Sequence, residues 1–98
     1  MEIDKKNLKQ LIRDLTRLQA VLENIKIKED INVDREIVED LLNMVEAYFK
    51  DSLYFLSQRA YIESLELEAY AWGILDALAN LNLIEIPNEM RKWFKIEQ

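Results

Sequence analysis

Apolar residues recur along this chain at helical rather than strand spacing. Leu8, Leu11, Ile12, Leu15, Leu18, Leu22 and Ile25 fall on one arc when residues are plotted at roughly 100° each, while Lys5, Lys9, Arg13 and Arg17 line the opposite side. This predicts a first helix over about 4–27, with Asp4 as its N-cap. The polar stretch from Lys28 to Val33 breaks the pattern and reads as a loop. Asp34 then caps a second helix over about 34–57, with Glu36 beside the positive end of its dipole. Ile37, Leu41, Met44, Val45, Tyr48, Phe55 and Leu56 cluster there. Val38, Leu42, Phe49 and Leu53 widen the apolar arc to roughly half the circumference, enough to pack against two neighbours.

A third helix is expected over about 61–84, after a tight turn at Gln58–Ala60 that no Gly or Pro marks. The alternative, one helix from Asp34 to Leu83, would be about 75 Å long with no heptad pattern to sustain it. The third helix is apolar almost all round. Tyr61, Leu65, Trp72, Ala79 and Leu83 share one side, and Leu67, Ala71, Ile74, Leu75 and Leu78 the other. Pro87 closes it, and Asn88 caps a short tail helix over about 88–95 that carries Met90, Trp93 and Phe94. The expected fold is all-α: an antiparallel, up-down-up three-helix bundle with long helices and a short C-terminal helical tail, forming one domain over 1–98.

Composition narrows the chemistry. The 98 residues are 50% hydrophobic and 33% charged, with one Gly, one Pro, no Cys and no His. That leaves no disulfide framework, ordinary zinc site, thiolate nucleophile or imidazole base. A phosphate-cradling Gly-rich loop has nothing to be built from. The net charge of −6 argues against a dedicated nucleic-acid binder. That charge is segregated: residues 1–28 sum to +3, 29–58 to −6 and 59–98 to −3. A basic first helix beside acidic later ones suggests complementarity within the bundle, or head-to-tail between molecules. The N-terminal MEIDKKNLKQ has no apolar signal region, and the low-charge run Ala69–Ile84 is too short to span a bilayer. A cytoplasmic protein with no membrane contact is expected.

Carboxylates and aromatics remain for chemistry. Asp76 falls by helical phase on an apolar side, one turn from Trp72, with Glu68 one turn before that. A buried carboxylate must be paired or protonated, so Glu68, Trp72 and Asp76 form the candidate pocket, set against a purely structural hydrogen bond from Asp76 to a loop amide, a Tyr hydroxyl or a basic side chain. Ala69, Gly73 and Ala77, four apart, form a small-residue ridge expected to let another helix approach closely. The pairs Glu36/Glu39 and Glu63/Glu66 carry a weak metal alternative, since oxygen-only ligands suit Mg²⁺, set against solvated helix faces. The Lys5–Arg17 stripe offers nucleic-acid contact set against plain surface charge, and MRKWFK a tail that folds back over the bundle end.

The segment YAWGILDALANLNLIE, Tyr70 to Glu85, resembles the archaeal domain-of-unknown-function family 357. That family's pattern is a helical hairpin leading into Tyr-Ala-x-Gly-aromatic-Leu-Asp-Ala and a Leu-rich end. Tyr70, Ala71, Gly73, Leu75, Asp76 and Ala77 match it. Ile74 replaces the usual aromatic residue, and Leu78 and Asn82 stand where Gly is common. The likeness is best from about Tyr48 to Leu83. It implies a small helical bundle with a long antiparallel pair, and no particular activity. The same hairpin resembles a single tetratricopeptide unit at Tyr61, Ser64 and Ala71, without the 34-residue recurrence of such arrays.

The leading functional expectation is a non-catalytic interaction or scaffold module, self-associating as a homo-oligomer such as a dimer or binding a helical protein partner, with no cofactor. The alternative is an Mg²⁺-dependent all-α nucleotide-hydrolysing enzyme using Glu36, Glu39, Glu63 and Glu66. A third reading is weak nucleic-acid binding through the basic face of the first helix.

Overall fold

The computed structural model describes residues 3–96. The described residues are mostly helical, 73% of them, with three long helices: α1 (Lys5–Asn24), α2 (Arg35–Ser57) and α3 (Tyr61–Asn80). A six-residue 3₁₀ turn, Asn88–Trp93, follows. Asp4 and Asp34 cap α1 and α2 as expected. The Asp4 carboxylate accepts from the Asn7 N–H at 2.8 Å, and that of Asp34 from the Glu36 N–H at 3.0 Å.

Two helices end earlier than their apolar arcs predict, and the chain is not wholly α. The first helix stops at Asn24 rather than near Ile27, and the third at Asn80 rather than near Ile84. The freed residues make a two-stranded antiparallel sheet, β1 (Lys26–Ile27) with β2 (Ile84–Glu85), pairing Lys26 with Glu85 and Ile27 with Ile84. The physical reason is local. Ile25-Lys26-Ile27-Lys28 and Ile84-Glu85-Ile86 alternate apolar and polar at period two, and isoleucine is stiff and suited to a pleat. Ile84 and Ile86 are accordingly buried while Glu85 is exposed. The tail is also shorter and tighter than expected, a 3₁₀ turn ending at Trp93 rather than a helix to 95.

Both stops downstream of α2 and α3 use left-handed residues that are not glycine. Arg59 has φ 59° and Asn82 φ 63°. Around the first, the Arg59 N–H donates to the Leu56 carbonyl and that of Ala60 to Phe55. Around the second, the Asn82 N–H donates to Ala79 and that of Leu83 to Leu78. These are paired Schellman bonds, which satisfy the last carbonyls of each helix. The turn at Gln58–Ala60 therefore needs no Gly to reverse the chain, and α2 and α3 run back along each other as a hairpin.

That hairpin has a close crossing. Ser52 and Ser64 are both fully buried. Ser52 Oγ donates to the Ser64 carbonyl at 2.7 Å and Ser64 Oγ to the Ser52 carbonyl at 2.9 Å, with 2.9 Å between the hydroxyls. Small side chains let the backbones meet, and the reciprocal bonds leave no buried hydroxyl unpaired. Further along, the Tyr48 and Tyr70 rings touch with centroids 5.9 Å apart. Leu11, Leu15, Leu18 and Val21 of α1 join Val38 and Val45 of α2 and Ala71, Leu75 and Leu78 of α3 in one apolar core, closed at its end by Met90 and Phe94.

Candidate functional site

Helical phase places Glu68, Trp72 and Asp76 on the side of α3 that faces α1 and the tail. The three line one groove of about 490 Å³, together with Arg13 and Arg17 of α1 and Trp93 of the tail. Their chemistry differs sharply. Asp76 is an anchor: its Oδ1 accepts from the Lys95 N–H at 3.1 Å. Asn80 continues the clasp, its amide donating to the Lys95 carbonyl at 2.8 Å and to the Asp76 carbonyl at 2.7 Å. The structural hydrogen bond to a loop amide is the one observed. Trp72 is half-buried; its indole N–H donates to the Asp14 carbonyl at 3.4 Å, and its ring meets Phe94 edge-on at 5.5 Å. Arg17 lies over the Trp93 ring at 5.3 Å, so the tail is fastened by a carboxylate, an amide, an aromatic pair and a cation–π contact.

Glu68 is the unusual group. It is 7% exposed yet makes no hydrogen bond or ion pair with any described residue. Burial, and secondarily the nearby charge of Asp14, push its carboxyl up from 4.5 to about 7. No buried side-chain polar atom among the described residues lacks a partner, so the unpartnered carboxyl oxygens meet open space instead of sealed core. Besides the groove, Glu68 lines a second cavity of about 250 Å³, between the first halves of α1 and α3, with Asn7, Gln10, Asp14, Tyr61 and Leu65 among others.

The remaining candidates separate. Ala69, Gly73 and Ala77 are all exposed, and a Cβ built on Gly73 would meet nothing within 4 Å. The close helix approach assigned to this ridge therefore does not occur within the chain; Ser52 and Ser64 provide it instead, because they face the hairpin seam and the ridge faces away. The residues of the metal alternative stand apart. Glu36, Glu39, Glu63 and Glu66 are exposed and no group of three or more acidic residues comes together among the described residues. The hairpin runs antiparallel, so the Glu36/Glu39 end lies opposite the far end of α3 from Glu63/Glu66, a separation of about 25 Å along the helices. Glu39 instead sits 3.9 Å from Arg35. Of the basic stripe, Lys5, Lys9 and Arg13 are exposed while Arg17 is drawn to the tail. Among the described residues the ion pairs are Arg13–Asp14, Arg35–Glu39 and Lys50–Glu46, none joining α1 to α2 or α3.

Asp14 and Ser52 hold no candidate role in the sequence, and Ser64 enters it only through the tetratricopeptide likeness. Asp14 lies by phase inside the apolar arc of α1, between Leu18 and Val21, a signal that was available. Ser52 and Ser64 stand six residues either side of Gln58, small polar residues inside apolar arcs, equidistant from the turn.

The fold defines a small, mostly helical protein: a tight helical hairpin with one further helix and an anchored tail on one flank. No helix among the described residues is long and apolar enough to cross a membrane. The chain belongs to the family described as "Protein of unknown function (DUF357)", whose model matches residues 13–84. The match takes in most of α1, which the motif at Tyr70–Glu85 did not require. No curated protein and no solved structure matches the chain.

Proposed function

We propose that this protein is a non-catalytic interaction module that receives an amphipathic helix with basic flanks along the outer face of the α2–α3 hairpin. The three long helices are taken to act as one up-down-up bundle, with α1 and the tail covering one flank of the hairpin and leaving the other flank for a partner. The observation that carries this reading is the apolar character of that uncovered flank. Phase puts Ile37, Met44 and Tyr48 of α2 beside Tyr70 and Ile74 of α3 and Leu81 at its C-terminal cap, and the Tyr48–Tyr70 ring contact bridges the two rows. Ile37 is 55% exposed, Met44 43%, Tyr70 63% and Leu81 67%. Single exposed apolar residues are ordinary, but a contiguous row on two helices is a mark of an interaction surface.

The edge of this face selects the partner. Asp40, Asp51, Glu63 and Glu66 flank it by phase, α3 contains no Lys or Arg, and the two cations of α2 are engaged elsewhere: Arg35 with the Lys28 carbonyl and Glu39, Lys50 with Glu46. An all-acidic rim repels a second copy of itself and favours an apolar helix flanked by lysines or arginines. A designed amphipathic peptide with leucines at i, i+3, i+4 and i+7 and lysine flanks is the direct probe, titrated by fluorescence anisotropy. Micromolar binding that weakens with salt and is lost in Tyr70→Glu/Met44→Glu supports the reading. Absent binding, or binding indifferent to that double variant, sinks it. A dimer in sedimentation equilibrium that the same variant dissolves replaces the helical partner with a second copy.

A further inference from the structure

The cavity between α1 and α3 is separate from the outer hairpin face and has its own chemistry. Its wall carries two carboxyl groups, Glu68 and Asp14, with no cation placed between them. Among the described residues Asp14 pairs with Arg13 at 3.5 Å, whose own side chain is 54% exposed. The other charged groups nearby belong to the adjoining groove: Arg17 on the Trp93 ring, Asp76 bonded to the Lys95 N–H, and Lys95 itself in the tail. None of them bonds to Glu68, which is more than nine-tenths buried and makes no hydrogen bond or ion pair with any described residue.

Neutral acceptors and an apolar wall complete the lining. The Asn7 amide nitrogen donates to the Asp4 carboxylate at 3.0 Å, which leaves its oxygen as an acceptor. The Gln10 amide and the Tyr61 hydroxyl also border the space, beside Leu65. Two acidic groups, neutral oxygens and a leucine wall suit a compact cation on a methylene stem. A divalent metal is less suited, since Mg²⁺ or Ca²⁺ takes six or more oxygen ligands and no third acidic residue joins these two. At about 250 Å³ the cavity is at the small end for a ligand site.

We propose that this cavity binds the ammonium group of a small aliphatic amine, held between Glu68 and Asp14 with its carbon stem against Leu65. The ammonium group presents three N–H donors to these oxygens and supplies the charge that the buried carboxylate lacks. Binding draws on ionised Glu68, whose carboxyl is raised to about 7, so it strengthens as pH rises through neutrality.

The test is an NMR titration of the full chain with n-butylammonium chloride, reading Tyr61, Leu65 and Asp14 resonances, with n-butanol and MgCl₂ as parallel arms. Saturable shifts are expected with butylammonium alone, roughly tenfold tighter at pH 8 than at pH 6 as Glu68 ionises. Glu68→Gln keeps the shape, removes the charge and should weaken binding at least tenfold, while a thermal melt confirms that the variant is folded. Equal shifts with butanol would make the cavity merely apolar, and Mg²⁺-driven shifts at the same residues would make it a metal site. Either result, an unchanged Glu68→Gln affinity, or no response to 100 mM amine overturns the proposal.

Discussion

Polar side chains are buried at both seams of this molecule, in opposite ways. Where α2 crosses α3, Ser52 and Ser64 exchange hydrogen bonds and every hydroxyl and carbonyl involved is paired. Where α3 faces α1, Glu68 and Asp14 bring two carboxyl groups together beside a cavity, and Glu68 has no partner among the described residues. The difference follows from connection and side-chain size. A three-residue turn with Schellman bonds draws α2 and α3 together, and serines let their backbones close. The α1 helix reaches its place through the longer Ile25–Asp34 connection, and a cavity lies between it and α3 beside Glu68. The satisfied seam stabilises the fold; the unsatisfied one leaves room for a ligand.

The comparison is broken most severely at the serines. Ser52→Leu forces a large side chain into the closest crossing and removes the bond from the Ser52 hydroxyl to the Ser64 carbonyl, so it should cost about 3 kcal/mol or more in urea unfolding. A near-neutral result would mean that the crossing is not tight.

Glu68→Gln should act with the opposite sign. The carboxyl is raised from 4.5 to about 7 in the folded chain, so the folded state holds a proton that the unfolded state has released between those values. Wild-type stability from this group therefore falls as pH climbs from 4.5 to 7 and the full loss is present above 7. The amide removes that term. Measured as variant minus wild type, it should stabilise by about 2 kcal/mol at pH 8 and little at pH 4, allowing for hydration from the cavity. A difference that does not change with pH would show that Glu68 titrates normally.

Gly73→Ala is the mildest expected change and separates the ridge from both seams. The new methyl meets open space, and alanine is the better helix former, so a gain of about 0.5–1 kcal/mol is expected from the melting temperature. A loss would show that something in solution occupies the surface over Gly73.

Much of the helical framework was legible from spacing and caps. Asp4 and Asp34 mark their helix starts, and the reversal at Gln58–Ala60 was readable because a continuous helix had no heptad to support it. The β1–β2 pair was not legible, because Ile25, Leu83 and Ile84 fit the helical arc and the strand alternation equally well. Two-residue strands have no stability of their own; each exists because the other lies beside it. At the candidate site, phase alone brought Glu68, Trp72 and Asp76 to one side. It could not tell them apart, because the tail that pairs with Asp76 and the Asp14 that faces Glu68 arrive from other elements.

Periodicity, caps and composition by themselves determined three long helices, an apolar α3, and a chain whose ionisable chemistry rests on carboxylates. Those properties depend on near neighbours in the sequence, within a turn or two. Which small residues make the close crossing, which carboxylate finds a hydrogen bond and which is left facing a cavity were decided only by the tertiary structure. They depend on the distance between elements, and that distance is set by turns, strand pairing and side-chain volume acting together.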